Sequence, residues 1–228
     1  MKLAWQQIPS ALVSEIFTAT GFDGVVLDTE HGCYNNETLY TCIQVITTNN
    51  KKCFVRLTEI NKTLIRFCLD AGVDGLIFST IENGIQASKI HELCKYPAHG
   101  GRRGLGLIRQ NMWGEKDLIS DPPTLIAQIE TNTGVENFED IAKYDFDFYM
   151  IGPYDLSASL GIPGQFDAEE YKAAVSKILG KTKKEKMAAH IPKDIENNLK
   201  MYEGYGILAL GMDTTLIIEG VKEILEYA

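Results

Sequence analysis

Short apolar runs alternate with longer segments of helical periodicity along this 228-residue chain. Runs such as GVVLD, CFVRL and GLIFS are nearly continuous, which is typical of strands buried on both faces of a sheet. We predict eight strands, over residues 3–5, 24–28, 53–57, 75–79, 124–130, 147–152, 186–190 and 206–211. We predict a helix after each strand, over residues 10–20, 36–48, 62–71, 84–94, 134–143, 168–177, 194–203 and 214–226.

Residues that commonly end helices agree with this division. The predicted C-terminal caps, where glycine tolerates a left-handed backbone, are Gly21, Gly72, Gly180 and Gly204. The predicted N-caps are Asn61, Asp167 and Asp213. Eight strand–helix units in one alternation indicate an α/β fold of the (β/α)8 TIM-barrel class, a single domain over residues 1–228. A doubly wound sheet is the alternative, but the first strand–helix turn lacks a Gly-x-Gly-x-x-Gly motif.

Charge and composition exclude several function classes. Twenty-two Lys+Arg against 31 Asp+Glu give a net charge of −9, which disfavours nucleic acid and anionic membrane surfaces as partners. No stretch approaches the roughly 20 apolar residues of a membrane span, and no secretion signal is recognisable. The five cysteines show no zinc-binding spacing, so we expect reduced thiols in a cytoplasmic protein.

Polar residues end several of the predicted strands and are expected to converge at one mouth of the barrel. They are Asp28, His31, Arg56, Gln128, Glu130 and Asp155. Carboxylate oxygens without cysteine ligands favour Mg²⁺ or Mn²⁺, so Glu130 and Asp155 are candidate metal ligands. Each residue also has a purely structural interpretation: a rim salt bridge for Glu130, a helix cap for Asp155, a turn for His31 and an ion pair for Arg56.

Two other barrel chemistries are disfavoured. A Schiff-base aldolase needs a lysine at the mouth of the barrel. The strand-associated lysines of this chain precede or open their strands and are therefore expected at the opposite end: Lys2, Lys51, Lys52 and Lys186. A phosphate site would occupy the loops after strands seven and eight. There the chain has His190 and Asp213, and a carboxylate repels phosphate.

Seven motifs in this order extend over nearly the whole chain: GFDGVVLDTEHG (21–32), FVRL (54–57), LDAGVDGLIFSTIENGIQA (69–87), GRRGLG (101–106), QIET (128–131), IGPYDLSASLGIPGQF (151–166) and GMD (211–213). With them the sequence resembles the HpcH/HpaI aldolase/citrate lyase family of metal-dependent 2-keto-acid aldolases. The resemblance implies reversible cleavage of a 4-hydroxy-2-keto acid, of which sugar-acid derivatives are one class, into pyruvate and an aldehyde through a metal-bound enolate.

The resemblance also assigns roles to the candidate residues. Glu130 and Asp155 would bind Mg²⁺ or Mn²⁺, with Co²⁺ as a further candidate. His31 would be the acid/base, oriented by Asp28, and Arg56 would hold the keto oxygen. The substrate carboxylate would lie against the backbone of Gly152, Pro153, Tyr154 and Asp155, with Gln128 lining the site. The family also implies a homo-oligomer, a hexamer or a trimer.

Three alternatives stay open. Two keep the enolate and change the bond: a citrate-lyase-β-like enzyme and an oxaloacetate-type decarboxylase. The third is a catalytically silent keto-acid-binding subunit. A long Gly-rich loop contains Arg102, Arg103 and Arg109, which would either grip a carboxylated or hydroxylated aldehyde acceptor or lie in a solvated loop or at a subunit contact. His190 would either touch that half or be packed in the core.

Overall fold

Eight parallel strands close into a barrel in the computed structural model, which describes residues 1–227. Each strand pairs with the next along the chain, and the last pairs with the first. The predicted (β/α)8 fold is therefore confirmed. The strands are β1 (Lys2–Gln6), β2 (Gly24–Asp28), β3 (Lys52–Leu57), β4 (Gly75–Phe78), β5 (Thr124–Ile129), β6 (Phe148–Ile151), β7 (Met187–Ile191) and β8 (Ile207–Leu210).

Helices surround the barrel, and more of them are present than the sequence predicts. They are α1 (Ala11–Thr18), α2 (Asn36–Thr48), α3 (Lys62–Ala71), α4 (Gly84–Cys94), α5 (Asn132–Glu136), α6 (Phe138–Ala142), α7 (Pro153–Ser159), α8 (Glu169–Leu179), α9 (Ile195–Asn198) and α10 (Asp213–Glu226). Short 3-10 turns add Pro97–His99, Arg109–Gly114, Lys184–Lys186 and Leu199–Tyr202. Within residues 1–227, no helix has both the length and the apolar character that crossing a bilayer requires.

Two buried layers explain the continuous apolar runs. In β2, Val26 belongs to the cluster inside the barrel, whereas Val25 and Leu27 belong to the cluster between strands and helices. Successive side chains point to opposite faces of a strand, and here both faces are covered, so consecutive positions such as Val25, Val26 and Leu27 are apolar. The interior cluster fills the barrel and leaves the carboxyl ends of the strands for polar groups.

Some predicted caps are confirmed and others are wrong. Gly72 and Gly204 have left-handed backbones, with φ of 89° for both, and Asn61 accepts hydrogen bonds from the first turn of α3. Gly180 has a right-handed φ of −72°, and Gly21 is not among the glycines with positive φ. Asp167 is not an N-cap, because the N-cap position of α8 falls on the next residue.

Asp213 is the first residue of α10 rather than its cap. Its carboxylate accepts backbone hydrogen bonds from Gln7 at 3.0 Å and Ile8 at 2.8 Å, just after β1. The side chain therefore links the start of α10, in the last strand–helix unit, to the segment after β1, in the first unit. The charged group that argued against a phosphate at this position has a structural role.

Candidate active site

A cavity of about 360 Å³ lies at the carboxyl ends of the strands. It is lined by Trp5, Gln7, Asp28, His31, Arg56, Gln128, Met150, Ile151, Gly152, Pro153, Tyr154, Asp155, His190, Pro192 and Met212. Eight of the nine predicted site residues are in this set. The ninth, Glu130, lies behind Gln128 and Gly152 and is only 3% exposed. The structure thus brings together residues that are far apart in sequence.

An ion pair between Asp28 and Arg56 lies at the base of the cavity. The two residues are direct neighbours in the β2–β3 register. Arg56 donates through Nε to Oδ1 at 2.9 Å and through Nη2 to Oδ2 at 2.6 Å, and the Trp5 indole N–H adds a 3.0 Å bond to Oδ2. Burial alone would raise the pKa of Asp28, but the hydrogen bonds and charge of Arg56 lower it below its usual range. The pair holds the charged guanidinium in one fixed orientation.

A second carboxylate binds the same guanidinium. Glu30 Oε2 lies 2.6 Å from Nη1 of Arg56. Sequence analysis did not single out Glu30, although it lies within the DTEHG motif. The carboxylates of Asp28 and Glu30 together bind all three guanidinium nitrogens of Arg56 at the edge of the cavity.

His31 faces the cavity from the loop after β2. Asp28 Oδ1 accepts from the backbone N–H groups of Glu30 at 3.1 Å and His31 at 3.3 Å. Within residues 1–227, the Asp28 carboxylate makes no hydrogen bond to the His31 imidazole, which is exposed. Asp28 therefore orders the loop that carries His31 rather than the ring directly. Gly32 makes this turn feasible, because a Cβ there would lie 2.3 Å from the Asp28 carbonyl oxygen.

Glu130 is held at both carboxylate oxygens. Its Oε1 accepts from the backbone N–H and the hydroxyl of Thr80, both at 2.7 Å. Its Oε2 accepts from the side-chain amide of Gln128 at 2.5 Å. Burial raises the pKa of Glu130, the negative charges of Glu30 and Asp155 raise it further, and the Thr80 hydrogen bonds act in the opposite direction. A cation bound at Glu130 would offset the repulsion from the other two carboxylates.

The oxygens at this position match the preferences of a hard divalent cation. The Gln128 side-chain oxygen is buried and has no hydrogen-bond donor in the described part of the chain. Together with the carboxylates of Glu130 and Asp155, it makes an all-oxygen donor set. No three His, Cys, Asp or Glu side chains within residues 1–227 form a closed metal cluster. Mg²⁺ is commonly held by one or two carboxylates plus substrate oxygens and water, so the residues fit such an ion.

His190 stacks on Trp5 beside the ion pair, with ring centroids 4.0 Å apart and an 11° angle between planes. The Arg56 guanidinium carbon lies 4.9 Å from the centroid of the Trp5 ring. Burial and the charge of Arg56 lower the pKa of His190 to about 3, so the ring is neutral at physiological pH. Trp5 was not identified from the sequence, because it reads as one more apolar strand residue.

The Gly-rich loop after α4 does not place its arginines in the cavity. Arg103 is 4% exposed and donates to Asp70 of α3 at 3.1 Å and to Gln110 at 2.8 Å. Its guanidinium also lies 4.5 Å from the centroid of the Tyr96 ring. Arg103 is therefore neither solvated nor in the cavity, and its contacts within the chain anchor the loop.

Arg109 anchors the same loop on the outside of the barrel. It donates to the Ala71 carbonyl at 2.7 Å and to the Thr47 hydroxyl at 2.8 Å. Arg102 is exposed and lies 3.7 Å from Glu92. Among the described residues, Arg56 is therefore the one arginine that lines the cavity.

Comparison with known families identifies the family of this chain. The family model described as HpcH/HpaI aldolase/citrate lyase matches residues 3–220. The chain belongs to the HpcH/HpaI aldolase/citrate lyase family. It is accordingly an enzyme of the carbon–carbon lyase class, as its motifs predict.

Similar proteins align with almost all of this chain. The hydroxypyruvate/pyruvate aldolase of Chromohalobacter salexigens is 30% identical over 227 residues, 96% of this chain and 89% of that protein. The 4-hydroxy-2-oxovalerate aldolase of Rhodococcus jostii is 28% identical over 221 residues, 93% of this chain and 85% of that protein. The crystal structure of citrate synthase SbnG superposes with a TM-score of 0.84 at 28% identity, covering 99% of this chain and 91% of that chain.

Proposed function

We propose that this enzyme catalyses the reversible, divalent-metal-dependent aldol cleavage of a 4-hydroxy-2-keto acid into pyruvate and an aldehyde. The observation that carries the proposal is a cavity lined by Gln128, Asp155 and the doubly bridged Arg56, with the Glu130 carboxylate held directly behind Gln128. An anion that develops on the keto oxygen needs opposing charge in a site shielded from water. The names of the two related aldolases support this reaction class.

Glu130 and Asp155 would hold the cation. Gln128, whose amide N–H bonds Glu130, has a buried side-chain oxygen with no donor in the described part of the chain, and this oxygen is a further candidate ligand. Mg²⁺ and Mn²⁺ suit an all-oxygen donor set, and Co²⁺ is a further candidate. When bound, the ion would supply positive charge that polarises the keto group and acidifies the adjacent methyl.

Arg56 stabilises the enolate oxygen of pyruvate in this proposal. Its guanidinium cannot rotate away, because Asp28 and Glu30 hold it on three nitrogens. A charged donor fixed before the reaction requires no reorganisation when the enolate forms. Asp28 therefore acts through Arg56 and through the His31 loop, as a positioning residue.

His31 is the proposed acid/base. In the cleavage direction, the imidazole accepts the proton of the substrate 4-hydroxyl as the carbon–carbon bond breaks, and it then donates that proton to the enolate carbon, which becomes the pyruvate methyl group. In the synthetic direction, it returns that proton to the aldehyde oxygen. Its place on an exposed loop at the cavity gives it access to both substrate and water, and histidine is the side chain that most often carries out such proton transfer.

The backbone that opens α7 is the proposed carboxylate subsite. The Gly152 N–H already donates to the Ile129 carbonyl at 3.2 Å, and Pro153 has no N–H. The first hydrogen bond of α7 runs from Leu156 to Gly152 at 2.9 Å. The N–H groups of Tyr154 and Asp155 precede that bond, and they are the ones proposed to receive the substrate carboxylate.

Pyruvate release from 4-hydroxy-2-keto acids tests this function. We expect turnover with Mg²⁺ or Mn²⁺, loss of turnover in EDTA, and loss in Glu130→Gln. Glu139→Gln, which alters an exposed carboxylate on α6, is the matched control and should match the wild type. Equal turnover of Glu130→Gln and wild type would refute the metal assignment, and no turnover of any 4-hydroxy-2-keto acid would refute the substrate class.

A second candidate keeps the pyruvate-type enolate and changes its partner. The similarity to citrate synthase SbnG favours it, and a citrate-lyase-β-like cleavage or an oxaloacetate-type decarboxylation uses the same enolate. An assay with oxaloacetate as the sole substrate distinguishes the decarboxylase from the aldolase. Efficient pyruvate formation from oxaloacetate, without turnover of hydroxy-keto acids, would favour the decarboxylase.

A further inference from the structure

Thr80 follows β4 and has a left-handed backbone, with φ of 54°. Positive φ is a genuine outlier for a β-branched residue, because Cβ and its substituents crowd the carbonyl. Such strain persists only where neighbouring contacts fix it, and it is concentrated at functional sites. Glycine would adopt this φ without strain, so the threonine side chain must contribute something that glycine lacks.

Contacts on both sides of Thr80 hold this turn in place. The next N–H, of Ile81, donates to the Gln128 carbonyl at 3.1 Å. The Thr80 carbonyl accepts from the Gln86 amide at 3.4 Å. Gly134 allows close approach of α5, since a Cβ there would lie 2.7 Å from the Ile81 carbonyl oxygen. The turn is thus hydrogen-bonded to β5 and α4 and packed closely against α5.

This conformation directs two donors at one atom. The N–H and the hydroxyl of Thr80 both lie 2.7 Å from Oε1 of Glu130, while Gln128 binds Oε2. We propose that Thr80 is a positioning residue, whose strained backbone and hydroxyl together fix the Glu130 carboxylate for cation binding. The inference rests on the proposed function, in which Glu130 is a metal ligand.

The hydroxyl is one of the two Thr80 donors that hold Oε1 of Glu130. Its removal would leave the backbone N–H of Thr80 as the remaining donor to that oxygen among the described residues. Partners that orient a ligating carboxylate typically change metal affinity about 10–100-fold when they are removed.

Thr80→Val gives the sharpest test, because it removes only the hydroxyl and keeps the β-branch and the backbone N–H. We expect calorimetric titration with Mn²⁺, without substrate, to show about 10–100-fold weaker binding. In turnover assays the Mn²⁺ concentration for half-maximal rate should rise by the same factor, and kcat should recover at saturating Mn²⁺. Thr80→Ser restores the hydroxyl and should restore the affinity.

Ser79→Ala is the matched control. It removes a buried hydroxyl in the same turn that donates to the Leu57 carbonyl at 3.1 Å and does not touch Glu130. Mn²⁺ binding should be unchanged in this variant. Thr80→Gly relieves the backbone strain and also lacks the hydroxyl, so it gives the same test if Thr80→Val fails to fold.

Different results would refute the role of Thr80 and the metal site at Glu130. If Thr80→Val or Thr80→Gly binds Mn²⁺ as the wild type does, while Glu130→Gln has lost binding, the role of Thr80 is refuted and the metal site stands. If Glu130→Gln binds Mn²⁺ as tightly as wild type, the metal site itself is refuted. Weaker binding in both Ser79→Ala and Thr80→Val to the same extent would also count against a specific role for Thr80.

Discussion

Arg56 is the residue on which the charge balance of the cavity depends. It lies between Asp28 and Glu30, and its side chain is only 9% exposed. Buried ion pairs stabilise little in net terms, but loss of one partner typically costs about 3–5 kcal/mol. This pair therefore serves a fixed orientation of the guanidinium more than overall stability.

Arg56→Lys tests that orientation. Lysine keeps the charge but cannot form the parallel bonds that the guanidinium makes to Asp28. We expect kcat for pyruvate release to fall about 10²–10³-fold, as for loss of an oxyanion-stabilising donor. Arg66→Lys, which alters an exposed ion pair with Asp70 on α3, is the control and should leave kcat unchanged. A kcat of Arg56→Lys within twofold of wild type would contradict the assigned role.

The convergence of the site was predictable at the residue scale, but its fine structure was not. Glu130 and Arg56 were found because each follows or ends an apolar run, and the carboxyl ends of parallel strands meet at one mouth. Thr80 and Glu30 were missed because their contacts depend on one backbone dihedral and on one side-chain rotamer. Trp5 was missed because its indole N–H is invisible in an apolar pattern. Hydropathy does not encode these features.

At the scale of elements, the strands were predicted more accurately than the helices. Apolar strands are bounded by polar turns, whereas the predicted helix 134–143 divides into α5 and α6 at Asn137, whose φ of −93° and ψ of 9° are not helical. The predicted helix 194–203 is likewise α9 followed by a 3-10 turn. Helix α7 lies outside the helices predicted from the sequence, although Pro153 suits the first position of a helix.

The long loop after α4 gives a prediction at this scale. Arg109→Met removes the hydrogen bonds to Ala71 and Thr47 and leaves the cavity untouched. We expect the free energy of unfolding in urea to fall by about 1–3 kcal/mol with kcat unchanged. Arg102→Met, at an exposed position of the same loop, should change neither quantity. A large loss of kcat in Arg109→Met without loss of stability would return this loop to the active site.

For the whole molecule, two buried histidines predict destabilisation in mild acid. Burial lowers the pKa of His91 from 6.5 to about 4 and that of His190 from 6.5 to about 3. The unfolded chain therefore binds more protons than the folded one between pH 6.5 and about 4. The stability contributed by the neutral rings is present above pH 6.5 and is lost as the pH falls through this window.

His190→Phe isolates one of the two contributions, because phenylalanine keeps a ring for stacking on Trp5 and does not titrate. Urea unfolding of wild type at pH 7.5 and 5.5 should show a loss of about 1 kcal/mol per histidine. His190→Phe should lose correspondingly less. An identical pH dependence of the two proteins would show that His190 is not held in its neutral form.

The homo-oligomer, a hexamer or a trimer, stays a prediction that sedimentation of the purified protein would decide.

The central claim is that Glu130 and a divalent cation make pyruvate enolise in this cavity. It is tested most directly by incubating the enzyme with pyruvate and Mg²⁺ in D₂O and following the methyl signal by NMR. The account predicts metal-dependent deuteration of the methyl group, abolished by EDTA and by Glu130→Gln. No exchange with Mg²⁺, Mn²⁺ or Co²⁺, or undiminished exchange in EDTA, would contradict it.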